Sequence, residues 1–301
     1  MWQHLLEQIN KHDIRALARS ISLVENEYEG YEELMLHLPA GRAAIIGITG
    51  PPGAGKSTLT DGLVGEIVNQ GKKVAVICVD PSSPFHMGAV LGDRIRMSQW
   101  YTHPGVFIRS LATRGSMGGL HPKIIEITDL VNAAQFDFII VETVGVGQSE
   151  IEIAGLADTT VVVVVPEAGD EVQTMKAGLM EIADIFVVNK ADRPDADTFV
   201  KNLRLMLAPA FSQHEQEIPI IKTIAHENKG LQQLYNTIVS QRHRLSADRK
   251  VWLLTEKIWV QIQKQRMKDI SRTEIAGSVA SRLHDRDFNL YRLVQQYAGL
   301  V

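Results

Sequence analysis

Cysteine is almost absent from this sequence, and its scarcity excludes several kinds of protein. The 301 residues include one cysteine, Cys78. Neither a disulfide framework nor a cysteine-based metal site can therefore form within one chain. Cys78 lies in an apolar run, which indicates a small buried side chain. A reduced, cytoplasmic setting is the expectation that follows.

Long hydrophobic runs and an excess of positive charge are also missing. The apolar stretch Val161–Val165 is far shorter than the roughly 18 residues that a membrane helix needs, so no membrane segment is expected. The N-terminus mixes charges of both signs and lacks the apolar core of a secretory signal. The formal net charge of -4 gives no reason to expect nucleic acid or an anionic membrane as a partner.

Three regions differ in the spacing of their apolar residues. Residues 1–40 have helical spacing, residues 41–244 alternate short β-rich runs with helical stretches, and residues 245–301 are again helical. This alternation predicts an α/β fold with a mostly parallel central sheet flanked by helices, plus helical extensions at both ends. The predicted strands are Ala43–Thr49, Lys73–Asp80, Val106–Ser110, Phe138–Thr143, Thr159–Val165, Ile185–Asn189 and Ile218–Thr223. Loops after such strands form the ligand site.

The strongest chemical signal is a glycine-rich loop after the first predicted strand. Residues 50–57 read GPPGAGKS and match the P-loop pattern G-x-x-x-x-G-K-[ST]. Successive backbone N–H groups of such a loop face the phosphates, and the following helix N-terminus adds a positive dipole end. Lys56 is expected to reach the β- and γ-phosphates, and Ser57 to bind Mg²⁺. The expected nucleotide-binding residues here are Gly50, Pro52, Gly53, Ala54, Gly55, Lys56, Ser57 and Thr58.

A second signal follows the sixth predicted strand. Residues 189–192 read NKAD and resemble the N-K-x-D motif that selects guanine in G proteins. A carboxylate at Asp192 can accept hydrogen bonds from guanine N1–H and the 2-amino group, a donor pair that adenine lacks. A polar turn after a strand is the alternative, but the order after a P-loop favours nucleotide binding by Asn189, Lys190 and Asp192.

Carboxylates end two other predicted strands, where this fold would hold a metal ion. Glu142 begins the stretch ETVGVGQSE, and Gly145 stands where the D-x-x-G glycine of G proteins senses the γ-phosphate. Glutamate replaces the usual aspartate, and Val146 stands where Ras-like enzymes carry the water-orienting glutamine. A solvent-facing carboxylate is the alternative for Glu142. Asp80 ends the second strand, and its chemistry alone leaves a Mg²⁺ or water contact and a turn-capping role equally open.

Two further segments have open interpretations. Asp93, taken alone, is more typical of an acidic residue near a helix N-terminus than of a binding site. Residues Gly115–Gly119 follow a predicted strand, and a long surface turn and a mobile switch segment fit them equally well.

In combination, these segments resemble the MeaB/ArgK family of P-loop G proteins, which chaperone adenosylcobalamin-dependent acyl-CoA mutases. The resemblance runs from about residue 5 to residue 270, and ETVGVGQSE is its most specific piece. The segments that carry it are residues 50–58, 79–84, 91–97, 141–150 and 189–192.

The resemblance implies roles for particular residues. It implies that Asp80, Asp93 and Glu142 surround the Mg²⁺–phosphate centre. It also implies a further switch loop over residues 166–178 with a functional Lys176, although a solvated helix lysine fits that position equally well. The residues implied to contact guanine after the last strand are Thr223, Ile224 and Ala225.

The resemblance is less specific at two places. Ile224 replaces the serine usually found there, but a backbone N–H makes that contact, so little harm is expected. Residues 245–301 resemble the family's dimerisation extension without a sharp motif. A homodimer is the expectation that follows from it.

The implied function is a GTP-hydrolysing chaperone that gates adenosylcobalamin delivery to, and protects, a cobalamin-dependent acyl-CoA mutase such as methylmalonyl-CoA mutase. A kinase linked to basic amino-acid transport is one alternative, but the sequence suggests no phosphoacceptor pocket or lid. A nickel-insertion GTPase is another, and it would need Cys and His ligands. A non-catalytic nucleotide-binding module is the third, and the intact Lys56–Ser57 pair argues against it.

Overall fold

Seven short runs rich in valine and isoleucine form one parallel sheet in the first of two compact units, Met1–Ala247 and Asp248–Val301. The computed structural model describes residues 1–80, 97–114, 120–143, 152–166, 180, 182–211, 217–242, 247–285 and 287–299. The strands are β1 (Ala44–Thr49), β2 (Val74–Asp80), β3 (Val106–Ala112), β4 (Phe138–Glu142), β5 (Thr159–Val164), β6 (Ile185–Val188) and β7 (Ile220–Lys222). Each lies within two residues of its predicted bounds, and the predicted α/β fold class is confirmed.

The order of the strands brings the candidate site residues to one edge of the sheet. The strands lie in the order β3-β2-β4-β1-β5-β6-β7, and every neighbouring pair is parallel. The central strand β1 therefore lies between β4 and β5. Because all carboxyl ends point the same way, the loop after β1, Asp80, Glu142 and the loop after β6 meet at the same edge.

Helices cover both faces of the sheet. Side chains alternate along β1, so Ile45 joins a core with helices of one face while Ile46 and Ile48 join a core with helices of the other. The helices of the first unit are α1 (Trp2–Asn10), α2 (Ile14–Glu25), α3 (Tyr31–Leu36), α4 (Lys56–Asn69), α5 (Ile124–Ala133), α6 (Ala196–Phe211) and α7 (Leu231–Arg242). Leucines and isoleucines of α1 and α2 pack in the same core as α5, so residues 1–40 complete one face of the sheet.

Ion pairs fix the N-terminal helices to strand β3 and its continuation. The carboxylate of Glu25, at the end of α2, accepts from Arg109 at 2.8 Å and from Arg114 at 3.2 Å. Arg114 also donates to the Glu25 backbone carbonyl at 2.9 Å. Glu25 is mostly buried, so these are charge-assisted contacts with limited solvent screening.

A second polar contact ties α3 to the start of α5. The ammonium of Lys123 donates to the hydroxyl of Tyr31 at 2.7 Å and lies 3.0 Å from Glu27. Burial alone would lower the pKa of Lys123. The hydrogen bonds that Lys123 donates to Tyr31 and Glu27, together with the charge of Glu126, outweigh burial and raise the pKa of Lys123 above its ordinary value.

Three helices are described in the second unit: α8 (Ala247–Arg266), which begins one residue before the unit, α9 (Arg272–Arg282) and α10 (Leu290–Tyr297). The hydroxyls of Ser278 and Tyr297 lie 2.7 Å apart and join α9 to α10. Among the described residues, no helix combines the length and apolar character that crossing a membrane requires.

Candidate nucleotide-binding site

The glycines of residues 50–57 adopt backbone angles that other residues avoid. Gly50, Gly53 and Gly55 have φ of 137°, 77° and 86°. A Cβ at Gly50 would lie 2.1 Å from the carbonyl oxygen of Val163, so the loop passes directly against β5. Gly55 is the N-cap of α4, and the helix begins at Lys56. The chain thus forms a tight loop followed by a helix N-terminus, the arrangement that binds phosphates.

Lys56 lies against the loop from which it comes. Its ammonium donates to the carbonyl oxygens of Gly50 at 2.9 Å and Pro51 at 3.1 Å. The residue is 7% exposed. The structure thus holds a buried cation at the concave side of a loop whose geometry favours anions.

Glu142 is the point where the sheet edge meets the P-loop helix. Its Oε1 accepts from the hydroxyl of Ser57 at 2.6 Å, and its Oε2 accepts from the hydroxyl of Thr60 at 2.8 Å. Glu142 is 3% exposed, so this carboxylate is not the solvent-facing residue of the alternative interpretation. One residue on, the hydroxyl of Thr143 lies 2.9 Å from that of Thr49 on β1.

Asp80 lies at the same edge, one strand away from Glu142. It ends β2 and is 4% exposed. Cys78, two residues earlier on β2, is the register partner of Glu142 on β4. Buried carboxylate and hydroxyl oxygens are the hard donors that Mg²⁺ prefers, so the residues present fit that ion. The predicted site residues Asp93, Gly145 and Lys176 lie outside the described residues, as do Gly115–Gly119.

Asn189 connects three segments of the site. Its side-chain Nδ2 donates to the carbonyl oxygen of Ala54 at 2.9 Å. Its Oδ1 accepts from the hydroxyl of Thr223 at 3.0 Å and from the backbone N–H of Ala225 at 3.1 Å. A Cβ at Gly55 would lie 2.5 Å from that Nδ2, which explains why the loop needs glycine there. The amide of Asn189 thus fixes the P-loop against the segment after β7.

Lys190 makes a parallel connection. Its ammonium donates to the carbonyl oxygen of Gly53 at 2.8 Å, so consecutive residues of NKAD both hold the P-loop. Its φ of 56° places it in the left-handed region, where the backbone turns sharply after β6.

Asp192 is exposed at the rim of the same edge. The N–H of its neighbour Ala191 donates to the carbonyl of Thr223 at 3.0 Å, which joins the loop after β6 to the segment after β7. Lys229 lies beside this rim and pairs with Glu227 at 2.6 Å. The hydrogen bond that Lys229 donates to Glu227 raises the pKa of Lys229, with a smaller contribution from the charge of Asp192.

Two contacts near the site have no counterpart in the sequence analysis. The hydrogen bond from Thr60 to Glu142 is one, since a single hydroxyl inside a helix has no recognisable spacing. The other joins α4 to the turn Ser98–Trp100, where the indole N–H of Trp100 donates to Asp61 at 2.7 Å.

Cys78, the cysteine that a nickel-binding site would need, is buried in β2 at 1% exposure.

Comparisons with known proteins agree on one family. The family model described as methylmalonyl-CoA mutase-associated GTPase MeaB matches residues 17–282. A protein of Pyrococcus abyssi, named as a candidate GTPase, is 46% identical over 288 residues, which cover 94% of this chain and 86% of the relative. The GTPase ArgK of Escherichia coli is 32% identical over 298 residues, which cover 95% of this chain and 87% of the relative.

A solved structure has the same fold over nearly its whole length. The crystal structure described as a LAO/AO transport system kinase aligns with a TM-score of 0.65 and 24% identity, covering 99% of this chain and 97% of the other. At this level of identity, the likeness concerns the fold alone.

Proposed function

Because the chain belongs to the MeaB family of GTPases, as the match over residues 17–282 shows, we propose that its GTP cycle controls a cobalamin-dependent acyl-CoA mutase. The chain gates the delivery of adenosylcobalamin to a mutase such as methylmalonyl-CoA mutase, and it ejects damaged cofactor. The family match, whose description associates its members with that mutase, is the observation that carries this proposal. GTP and GDP favour different conformations of the switch loops, and the mutase binds one of them better.

Phosphate binding falls to the loop at residues 50–58. Its N–H groups and the N-terminus of α4 surround the phosphates, and Lys56 exchanges the carbonyls of Gly50 and Pro51 for β- and γ-phosphate oxygens. This exchange costs little movement, because the ammonium already lies at the loop.

Metal binding falls to Ser57 and to carboxylates at the sheet edge. The hydroxyl of Ser57 keeps lone pairs for a cation while its O–H donates a hydrogen bond to Glu142. Asp80 and Asp93 complete the acidic surroundings. An Mg²⁺ ion held by these residues would supply positive charge against the charge that develops on the phosphate oxygens.

Guanine selection falls to Asp192 and to the segment from Thr223 to Ala225. The exposed carboxylate of Asp192 accepts from the base. A backbone N–H of this segment donates to the carbonyl oxygen of the base in place of its present acceptor, which is Lys229 for Ile224 and Asn189 for Ala225. Support comes from Asn189, whose hydrogen bonds hold the Thr223–Ala225 segment at a fixed distance from the P-loop.

Slow intrinsic hydrolysis connects the enzyme to its partner. Val146 cannot orient the attacking water as the glutamine of Ras-like enzymes does, so turnover is expected below roughly 1 s⁻¹. A mutase that binds at residues 80–97, 115–119 and 166–178 completes the site. Coupling is mutual at the level of binding, so GTP tightens the complex as much as the mutase tightens GTP.

GTP turnover with purified mutase tests this proposal. The mutase is expected to stimulate phosphate release by the wild type, and Lys176→Ala is expected to lose that stimulation. Lys201→Ala, at an exposed position of α6, is the matched control and should keep it. If no acyl-CoA mutase from the same cell stimulates the wild type, the proposed chaperone role is wrong, but the assignment of the chain as a GTPase still holds.

The second unit supports a proposal about assembly. Val251, Leu254, Ile258 and Ile262 recur at helical spacing along α8, and all four are exposed. Trp252 and Trp259, seven residues apart, widen this stripe and are also exposed. A continuous apolar helix face of this kind needs a partner of the same length and character. A second copy of the chain supplies one by symmetry, so a homodimer forms through the apolar face of α8.

A further inference from the structure

Thr60 is a buried hydroxyl residue of α4 for which the proposed reaction has no role so far. It is 0% exposed and lies among the buried Leu59, Leu63 and Val64 of the same helix. Burying a hydroxyl costs free energy unless the hydroxyl has a hydrogen-bond partner. The partner of Thr60 is the Oε2 atom of Glu142, at 2.8 Å.

The direction of this hydrogen bond is informative. A threonine inside a helix often donates its proton to the carbonyl four residues earlier in the chain. A hydroxyl can donate one hydrogen bond, and the hydroxyl of Thr60 donates it to Glu142. The contact therefore uses the only donor of the side chain to hold a carboxylate on another element.

Ser57 and Thr60 act on different oxygens of the same carboxylate. They are three residues apart and so lie on one side of α4. Ser57 donates to Oε1 at 2.6 Å and Thr60 to Oε2 at 2.8 Å. Two donors at separate oxygens fix both the position and the rotation of the carboxylate. Glutamate has one more rotatable bond than the aspartate usual at this place, so its fixation costs more side-chain entropy.

We propose that Thr60 is a positioning residue for Mg²⁺ binding. Its hydrogen bond to Oε2 holds Glu142 so that Oε1 stays beside the Ser57 hydroxyl, the group expected to bind the ion. Thr60 itself contacts neither the ion nor the nucleotide. This role depends on the Mg²⁺ site proposed above.

Mg²⁺-dependent nucleotide binding tests the role of Thr60 without relying on turnover. Affinity for a fluorescent GDP is measured in EDTA and then as Mg²⁺ is added. Thr60→Val keeps the branched shape and removes the hydroxyl, and it is expected to raise the Mg²⁺ concentration for half-maximal effect about 10- to 100-fold. Affinity in EDTA should not change. Thr60→Ser keeps the hydroxyl and should behave like the wild type.

A double-mutant cycle shows whether Thr60 acts through Glu142. In a Glu142→Ala background, Thr60→Val should cause no further change in the Mg²⁺ dependence. Should Thr60→Val fail to fold, Thr60→Ala repeats the comparison with a smaller side chain.

The possible results separate the two proposals. A wild type whose nucleotide affinity ignores Mg²⁺ would overturn the metal site, and the role of Thr60 with it. A Mg²⁺-dependent wild type with an unchanged Thr60→Val variant would overturn the role of Thr60 alone. Equal losses of affinity with and without Mg²⁺ would also overturn it, because they indicate a general structural effect.

Discussion

The side-chain amide of Asn189 donates to the carbonyl oxygen of Ala54 at 2.9 Å, so the NKAD segment holds the P-loop directly. The other atom of that amide, Oδ1, accepts from the hydroxyl of Thr223 and the N–H of Ala225. The P-loop and the segment after β7, which are the proposed phosphate and base halves of the site, are therefore one hydrogen-bonded unit, and a change at Asn189 should affect both.

Asn189→Ala should weaken GTP and GDP to a similar extent. It removes three buried hydrogen bonds and should lower the free energy of unfolding by about 1–3 kcal/mol. Fluorescent-nucleotide titration and urea denaturation measure the two effects. Asn202→Ala, at an exposed position of α6, should change neither. An Asn189→Ala variant with wild-type affinity for both nucleotides would contradict the linkage between the two halves.

Asp192→Asn should weaken guanine nucleotides and improve xanthine nucleotides. The carboxylate accepts two hydrogen bonds from guanine, whereas an amide offers one acceptor and one donor group. Competition binding with GDP and XDP measures the change in preference. Asp197→Asn, at a nearby exposed carboxylate, should leave it unchanged. Undiminished GDP affinity in Asp192→Asn would remove this residue from the base site.

Lys56→Ala should abolish GTP hydrolysis, and Glu142→Ala should reduce kcat by about 100-fold. The first loses the cation beside the phosphates and the second a carboxylate beside Ser57. Single-turnover phosphate release at saturating GTP and Mg²⁺ measures both. Glu66→Ala, further along α4, is the control and should hydrolyse GTP normally. Glu142 would have no part in the reaction if its replacement left kcat unchanged.

Ile258→Glu should convert the dimer to monomers. It places a charge in the middle of the exposed apolar face of α8, where a partner would have to bury it. Sedimentation velocity measures the mass, and truncation after residue 245 should give the same result. Leu205→Glu replaces an exposed leucine of α6, outside α8, and should stay dimeric. A truncated chain that remains dimeric would show that the interface lies elsewhere.

The strands could be predicted from the sequence because buried parallel strands are apolar on both faces. The prediction failed by two residues at β7, where Pro219 precedes the observed start at Ile220. Proline has no N–H for the ladder, so it marks the edge of the strand. At β3 the structure extends the strand to Ala112, although Arg109 and Ser110 are polar. Arg109 is accommodated there by Glu25, a residue 84 positions earlier that no local pattern could identify.

The P-loop and NKAD could be predicted because their chemistry requires fixed spacings. The contacts of Thr60, Trp100 and Lys229 could not be predicted from the sequence. The partners of Thr60 and Trp100 are distant in the sequence. Lys229 meets the nearby Glu227 only because of the local turn of the backbone. Helical spacing in residues 1–40 indicated helices but not the face of the sheet that they cover. Apolar periodicity shows which face of a helix must be buried, but it does not show which surface of the protein that face packs against.

The hydrogen bond between Trp100 and Asp61 has an optical consequence. An indole whose N–H donates to a carboxylate emits at a wavelength that depends on that contact, and Asp61 is only five residues after Lys56 on the same helix. The other tryptophans are Trp2 in α1 and Trp252 and Trp259 in α8. With those three replaced by phenylalanine, Trp100 becomes a single intrinsic fluorophore, and its emission reports in real time on the contact between the P-loop helix and the Ser98–Trp100 turn.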